Sequence, residues 1–323
     1  MSKIISTSTQ RLDVFLSTYL NLSRNQIATL IKNEKVKVNS KIVKASFKLN
    51  IDDEIEYEFI QAKEKENKYE AKFDVEIIYE DDDILLVNKP INVATHGASS
   101  LKEASLVEWL LQNNYKLCDI NGNFRAGIVH RLDKATSGAL IVAKNNSSYE
   151  FLANEIKNRL VDRIYLAITN DFINKDYIEC YIKRNEKNRL KMQALSLEEC
   201  KKKYKENIDK YGKLSKTNFI NLDKNNKAAL IAAKLQSGRT HQIRVSLASV
   251  NRYILGDTLY AKNQNEKRLM LHSFFIAFTH PQSKKRMQFI ANFDENFKEK
   301  LQEFKKETYD KDYALRLLRD FSI

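Results

Sequence analysis

The sequence is poor in the residues that interrupt regular structure or cross-link a chain. Its 323 residues include two prolines, seven glycines, one tryptophan and three cysteines. Cys118, Cys180 and Cys200 are odd in number and widely spaced, so they predict neither a disulfide framework nor a zinc cluster. Unpaired cysteines are typical of a reducing compartment, and we therefore expect the protein in the cytoplasm.

The chain also lacks long apolar segments. No apolar run reaches the roughly 20 residues that a membrane-spanning helix needs, and residues 1–7 have no signal-peptide core. We therefore expect no membrane partner. The length suits one large domain and one small domain.

Positive charge is what the chain has in excess. Lys and Arg number 55 against 42 Asp and Glu, the formal net charge is +13, and the isoelectric point is near 9.3. This balance predicts a polyanionic partner, as a nucleic acid would be. The five histidines lack the spacing of metal-ligand pairs, so we expect no metal ion.

Residues 1–58 are predicted to form a separate small domain. Arg11 starts a short amphipathic helix, Ser23 caps a second one, and Lys35–Asn39 alternates charged and apolar side chains as an edge strand does. Asn33 lies in the turn before that strand, where an asparagine tolerates a left-handed backbone.

The same domain is strongly basic over residues 24–48. This segment has one acid, Glu34, and seven basic residues: Arg24, Lys32, Lys35, Lys37, Lys41, Lys44 and Lys48. A solvated charged face has a similar composition. The bias across a helix and the next strand nevertheless favours contact with the phosphates of folded RNA.

The rest of the chain predicts a larger α+β domain. Residues 59–73 are mostly charged and read as a linker, residues 74–295 as the main domain, and residues 296–323 as a helical tail. Helices are predicted at 104–112 and 148–160. Strands are predicted at 75–79, 84–87, 164–168, 177–182, 219–222, 228–235 and 275–279. Strands and helices do not alternate regularly, which favours a mixed, mostly antiparallel sheet.

The most informative motif is the run from His130 to Gly138, His-Arg-Leu-Asp-Lys-Ala-Thr-Ser-Gly. It places Asp133 between two cations, just before the apolar run 139–143. Neighbouring cations favour the ionised form of a carboxylate, and loops on a rigid scaffold often carry catalytic groups. A salt-bridged surface loop is the alternative interpretation.

Four further motifs accompany this loop in order along the chain: residues 86–90, Leu-Val-Asn-Lys-Pro; 238–244, Gly-Arg-Thr-His-Gln-Ile-Arg; 256–260, Gly-Asp-Thr-Leu-Tyr; and 268–272, Arg-Leu-Met-Leu-His. Together the five motifs resemble the RluA/RluD-type pseudouridine synthases over roughly residues 74–295. Residues 1–58 resemble the small RNA-binding module named after ribosomal protein S-four. The resemblance implies a pseudouridine synthase fold and no cofactor.

The resemblance also implies a set of site residues. Asp133 corresponds to the catalytic aspartate, acting as a nucleophile or as the base that eliminates uracil. Tyr165 would stack on the target uracil and take the proton from C5. Arg244, which we place on a strand, would pair with Asp133, and a bidentate pair would keep the carboxylate ionised and aimed. Substrate or RNA contacts are expected from Arg131, His130, Lys134, Arg239, His241, Arg24, Lys32 and Lys37, and Lys89 is at most a phosphate contact.

Three functions are compatible with this interpretation. The resemblance favours a monomeric enzyme that modifies large-subunit ribosomal RNA. A transfer-RNA pseudouridine synthase of the same fold is the alternative within the enzyme class. A non-catalytic ribosome-assembly factor is the alternative outside it, but a pure RNA binder has no use for a carboxylate in a basic groove.

Overall fold

The computed structural model describes residues 2–20, 24–58, 69–97, 101–120, 125–204, 212–262 and 266–322. The chain divides into two compact units. The small unit comprises Met1–Lys68 with Cys118–Ala126, and the large unit comprises Tyr69–Leu117 with Gly127–Ile323. Most of the expected linker, residues 59–68, lies outside the described residues.

Two helices cover a small antiparallel sheet in the small unit. Its elements are β1 (Ser2–Ile5), α1 (Leu12–Tyr19), α2 (Arg24–Lys32), β2 (Val36–Val38), β3 (Lys41–Ile42) and β4 (Glu54–Tyr57). The strand order is β1-β4-β2-β3, with every pair antiparallel. Apolar side chains of both helices and of β2 and β4 form its core, among them Leu12, Leu16, Ile27, Val36 and Ile55.

Two local predictions for this unit were wrong. Strand β2 is an inner strand, because β4 pairs with one of its edges and β3 with the other. Its alternating pattern reflects one buried face rather than a sheet edge. The left-handed residue of the preceding turn is Glu34, with φ of 59°, and not Asn33. The expected cap at Ser23 lies outside the described residues.

The large unit is built on one mixed sheet. Its strands are β5 (Glu76–Glu80), β6 (Ile84–Lys89), β7 (Ser137–Ala143), β8 (Asp162–Thr169), β9 (Tyr177–Arg184), β10 (Met192–Ser196), β11 (Lys213–Lys224), β12 (Ala229–Leu235), β13 (Leu271–Thr279) and β14 (Arg286–Ile290). They run in the order β10-β9-β11-β12-β8-β13-β7-β6-β5, and β14 also pairs with β13. Among the described strands only β13 and β7 pair in parallel, so the predicted α+β class is confirmed.

Six helices accompany this sheet in the described part of the large unit. They are α3 (Leu106–Gln112), α4 (Asn146–Lys157), α5 (Leu197–Tyr204), α6 (Gln242–Ser249), α7 (Glu295–Leu301) and α8 (Lys311–Asp320). Helix α3 begins with a capping box, in which Ser105 and Glu108 each accept the other's backbone N–H. The tail is helical as expected, but residues 302–310 separate it into two helices.

Helix α6 corrects the prediction that Arg244 lies on a strand. Ile243, Val245 and Leu247 alternate with polar residues, which is the period of a half-buried strand. The helix is instead buried on nearly all sides from Gln242 to Leu247. A helix without a solvated face lacks the apolar period of about 3.6 residues by which a helix is recognised in a sequence. The alternation at residues 243–247 therefore suggested a strand.

Candidate active site

The Asp133 loop precedes β7 and is tied to the body of the large unit. The fully buried Nζ of Lys89, at the end of β6, donates hydrogen bonds to the carbonyl oxygens of Pro90 at 2.7 Å, Val93 at 2.7 Å and Lys134 at 3.3 Å. This position rules out the expected phosphate contact of Lys89. Burial lowers the pKa of Lys89 to about 7, against the opposing effect of the Asp133 charge.

Two further contacts fix the loop at either side of Asp133. The hydroxyl of Thr95 donates to the Leu132 carbonyl at 2.8 Å and accepts the Leu132 N–H at 3.2 Å. Gly138 has φ of +113°, and a Cβ there would lie 2.3 Å from the carbonyl oxygen of Ser273 on β13. Only glycine therefore lets the loop enter β7 beside β13.

Arg244 forms its fork with Asp257 and not with Asp133. Its Nε and Nη2 donate to the two carboxylate oxygens of Asp257, both at 2.8 Å, and Asp257 is almost fully buried. The remaining nitrogen, Nη1, lies 3.5 Å from Oδ2 of Asp133. The predicted pairing is present, but its bidentate geometry was wrong, because Asp257 takes the fork. Asp257 also accepts the backbone N–H groups of Leu259 and Tyr260.

Tyr260 and His241 form the adjacent wall. The Tyr260 ring lies 5.2 Å from the Arg244 guanidinium carbon, and its hydroxyl is 2.9 Å from Nδ1 of His241. Nε2 of His241 lies 4.0 Å from the Asp133 carboxylate. Burial lowers the pKa of His241 below its usual value despite that carboxylate, so the ring is neutral near pH 7.

His241 and Arg244 line one cleft with residues from the Asp133 loop, from β8 and from the segment before α6. The lining includes Arg131, Asp133, Thr136, Arg163, Tyr165, Gly238, Arg239, His241 and Arg244. Asp133 is 15% exposed, and Tyr165 is buried in the cleft wall. Burial raises the pKa of Tyr165, while the charge of Arg163 and a hydrogen bond with Ser273 act in the opposite direction.

The expected RNA-contact residues of the large unit differ in exposure. Arg131 and Arg239 are exposed at the cleft, whereas exposed Lys134 forms an ion pair with Glu103. His130 is buried, and its Nε2 accepts the Ile141 N–H at 3.0 Å, so its position suits loop support rather than RNA contact.

In the small unit, Arg24 donates to Asp13 at 2.6 Å while remaining 56% exposed, Lys32 is exposed, and Lys37 is half-buried. Arg11 donates a fork to the same carboxylate. The hydrogen bond from Arg11 is the largest of the effects that lower the pKa of Asp13 to about 2. The carboxylate therefore remains charged and holds both arginines at this surface.

One group of possible metal ligands occurs in the described part of the chain. Oxygen and nitrogen atoms of Asp81, Asp83 and His280 lie within 4.8 Å of one another. His280 Nε2 is 2.8 Å from Asp81 Oδ2, and the carboxylates also accept hydrogen bonds from Tyr79, Asn145 and Ser148. These hydrogen bonds hold the turn at residues 81–83 in place without a metal ion. The absence of a metal stays a prediction.

Sequence reasoning missed the roles of two residues, Arg163 in the lining of the cleft and Asp257 behind Arg244. Asp257 was visible in the motif at 256–260, but its role depends on a fold that brings the motif to Arg244. Arg163 stands two residues before Tyr165, and alternation along a strand would have placed both on one face.

The carboxylate of Asp133, the guanidinium of Arg244 and the buried ring of Tyr165 thus meet in one cleft of a mixed-sheet domain. The RNA pseudouridylate synthase family model matches residues 83–249, and the S4 domain model matches residues 10–55. An uncharacterized RNA pseudouridine synthase of Helicobacter pylori is 41% identical over 294 residues, covering 88% of this chain and 87% of the relative. The chain belongs to the RNA pseudouridine synthase family and isomerises uridine in RNA to pseudouridine.

A further relative supports the family, and a solved structure shares the fold. A ribosomal large subunit pseudouridine synthase D of Borreliella burgdorferi is 34% identical over 279 residues, covering 82% of this chain and 80% of the relative. A human structure titled RNA pseudouridylate synthase domain containing 1 shares the fold, with a TM-score of 0.57 at 23% identity. It covers 76% of this chain and 95% of that chain. None of the described helices is long and apolar enough to span a bilayer.

Proposed function

We propose that Asp133 carries the isomerisation in this cleft and that Arg244 positions it. The observation that carries the proposal is the division of Arg244 between two carboxylates. Asp257 fixes the guanidinium by a fork, and Asp133 receives one longer contact. Asp133 is therefore oriented but not fully neutralised, which leaves an oxygen available to attack C1′ or to remove a proton from the ribose.

We assign Tyr165 to stacking on the extruded uracil. Base extrusion costs a few kcal/mol, which an aromatic surface helps to offset. Burial raises the pKa of Tyr165, so the phenol is uncharged near neutral pH. A neutral phenol supports the stacking role more strongly than that of a strong base for the C5 proton.

The target that we propose is large-subunit ribosomal RNA. Two relatives support this target, because both are named ribosomal large subunit pseudouridine synthase D. One is the Borreliella burgdorferi protein, and the other is a Zymomonas mobilis protein that is 33% identical over 229 residues. The exposed cations of the small unit fit a folded RNA partner. Transfer RNA is the second candidate, because the same cleft chemistry would serve it.

We further propose that the enzyme works in the cytoplasm as a monomer. All three cysteines are free and buried, which is compatible with a reducing compartment. Fractionation of cells and sedimentation of the purified protein test these two statements separately.

Pseudouridine mapping in a strain that lacks the gene tests the target. We expect one or more pseudouridines of large-subunit RNA to disappear and to return with the wild-type gene, but not with an Asp133→Asn gene. Loss of pseudouridine from transfer RNA alone would replace the proposed target while retaining the chemistry. Unchanged pseudouridine in both RNAs would contradict the proposed target altogether.

A further inference from the structure

The cleft contains a buried cation to which neither the family assignment nor the proposed roles give a function. Arg163 lies on β8 two residues before Tyr165, so both side chains are on the same face of the strand. Arg163 is 5% exposed. In the part of the chain that the structure describes, its guanidinium has no hydrogen-bond or ion-pair partner, and its Nε is completely shielded from solvent.

The guanidinium lies close to Gly238, which lines the same cleft. A Cβ at Gly238 would lie 3.1 Å from Nη1 of Arg163, which is closer than a side chain tolerates without displacing its neighbour. Glycine in the 238–244 motif therefore makes room for this arginine. Thr136 also lines the cleft, and its hydroxyl oxygen is buried without a partner.

A buried, unpaired cation opposes folding. Its desolvation is unfavourable, and no ion pair with a described residue offsets this penalty. The free energy is recovered when a ligand supplies an acceptor. In RNA that acceptor is a phosphate or a base oxygen. Arg131 and Arg239 are exposed at the same cleft and suit phosphates, which remain on the RNA backbone. Arg163 is buried, lies in the same cleft and shares a strand face with Tyr165, to which we assign stacking on the extruded base.

We propose that Arg163 donates hydrogen bonds to a carbonyl oxygen of the extruded uracil and stabilises the negative charge that this base gains during isomerisation. The inference rests on the proposed function of the cleft. When the N1–C1′ bond breaks, its electron pair remains on uracil and is shared among N1, O2 and O4. Meanwhile Asp133 is either bonded to C1′ or has taken the C2′ proton, which leaves a glycal. After the base turns, C5 forms the bond to C1′ as the Asp133–C1′ bond breaks or the C2′ proton returns, the C5 proton passes to solvent, and N1 takes up a proton from solvent. Arg163 keeps its own proton throughout.

Arg163→Met tests this role because it retains the length and apolar packing but removes the charge. We expect the single-turnover rate at saturating enzyme to fall about 100-fold, as when one donor to a developing oxyanion is lost. The melting temperature should stay the same or rise, because an unpaired buried charge has been removed. A melting temperature several degrees lower would show that Arg163 is structural and would overturn the proposal.

Arg239→Met is the matched control, since it removes an exposed arginine from the same cleft. It should weaken RNA binding and reduce the salt slope by about one unit, with its main effect on affinity rather than on the rate at saturating enzyme. If Arg163→Met gave that same pattern, Arg163 would bind phosphate and the proposal would be wrong.

Sulfur substitution in the target uridine identifies the acceptor. In an RNA with 2-thiouridine at the target position, sulfur replaces O2, and with 4-thiouridine it replaces O4. Sulfur accepts hydrogen bonds more weakly than oxygen, so each RNA weakens one acceptor. We expect one of them to slow the wild-type enzyme at least about fivefold more than it slows Arg163→Met, since two changes in one contact are not additive. Additive effects at both oxygens would overturn the proposal. Activity retained by Asp133→Asn would instead refute the proposed function.

Discussion

In the small unit one carboxylate, Asp13, is shared by two arginines, whereas in the large unit one arginine, Arg244, is shared by two carboxylates. The side chains of Arg11 and Arg24 are about half exposed, while that of Arg244 is 6% exposed. The first group leaves a net positive charge at the surface, and the second leaves a net negative charge in a cleft.

The difference shows how the same residue types serve binding and chemistry. An exposed excess of positive charge attracts phosphates and releases counterions, which supplies affinity. A shielded excess of negative charge keeps Asp133 reactive, because the arginine that orients it is already neutralised by Asp257. Two lysines show the same contrast, since Lys32 of the small unit is exposed and Lys89 of the large unit is fully buried.

The largest effect is expected from Asp133→Asn, which removes the excess negative charge of the group formed by Arg244, Asp257 and Asp133. Turnover should fall by at least about 10³-fold, because the group that we assign to the reacting bond is lost. RNA affinity should stay near that of the wild type, since the removed charge repels phosphate. Single-turnover kinetics and equilibrium binding measure the two quantities.

Glu103→Gln is the control for this charge change, because it removes an exposed carboxylate that pairs with Lys134 near the same loop. It should leave turnover within a factor of about three, as surface ion pairs contribute little. Asp133→Asn turnover within tenfold of wild type would remove Asp133 from the reaction.

Asp257→Asn should reduce turnover by about 100-fold, because Arg244 loses its fork and is free to neutralise Asp133. Arg244→Lys should act similarly, since an ammonium cannot bridge both carboxylates. RNA affinity and its salt dependence should change little in both variants. Asp171→Asn, which alters an exposed carboxylate paired with Lys224, is the control. A change in affinity and salt slope alone would make Arg244 a phosphate contact.

Lys89 should make the free energy of unfolding depend on pH near neutrality, which an exposed lysine would not do. Burial lowers its pKa from 10.5 to about 7 in the folded protein. Between these values the unfolded chain binds a proton that the folded chain does not. The free energy of unfolding, relative to Lys89→Met, should therefore rise with pH by up to about 1.4 kcal/mol per unit above pH 7. Denaturation series from pH 6 to 10 for both proteins test this, and parallel curves over the whole range would contradict it.

The smallest effect is expected from Lys32→Ala, at an exposed position of the small unit. RNA affinity should fall a few-fold, and the salt slope should decrease by about one unit. The single-turnover rate at saturating enzyme should not change. A rate that fell with the affinity would show that the small unit takes part in the chemical step. Binding and chemistry would then not be divided between the two units.

The sequence by itself determined the class of fold, the position of the small domain and Asp133 with its loop. These features depend on local composition, on ordered motifs and on strands with strong apolar runs, and all of them can be read along the chain. Strands β10 and β14 and helix α5 were missed, because their short, largely half-exposed or exposed segments carry weak apolar periodicity.

Only the tertiary structure decided how the charges are paired. Arg244 lies 111 positions from Asp133, and no local pattern tells which carboxylate receives its fork. Helix α6 looked like a strand because burial on all sides removed its amphipathic signal. Lys89 was expected to be at most a phosphate contact, since a sequence records a charge but not the water that folding removes from around it. Tertiary packing determines which charged groups lose water and which partners they find. These two factors decide whether a cation contacts phosphate or acts on the base.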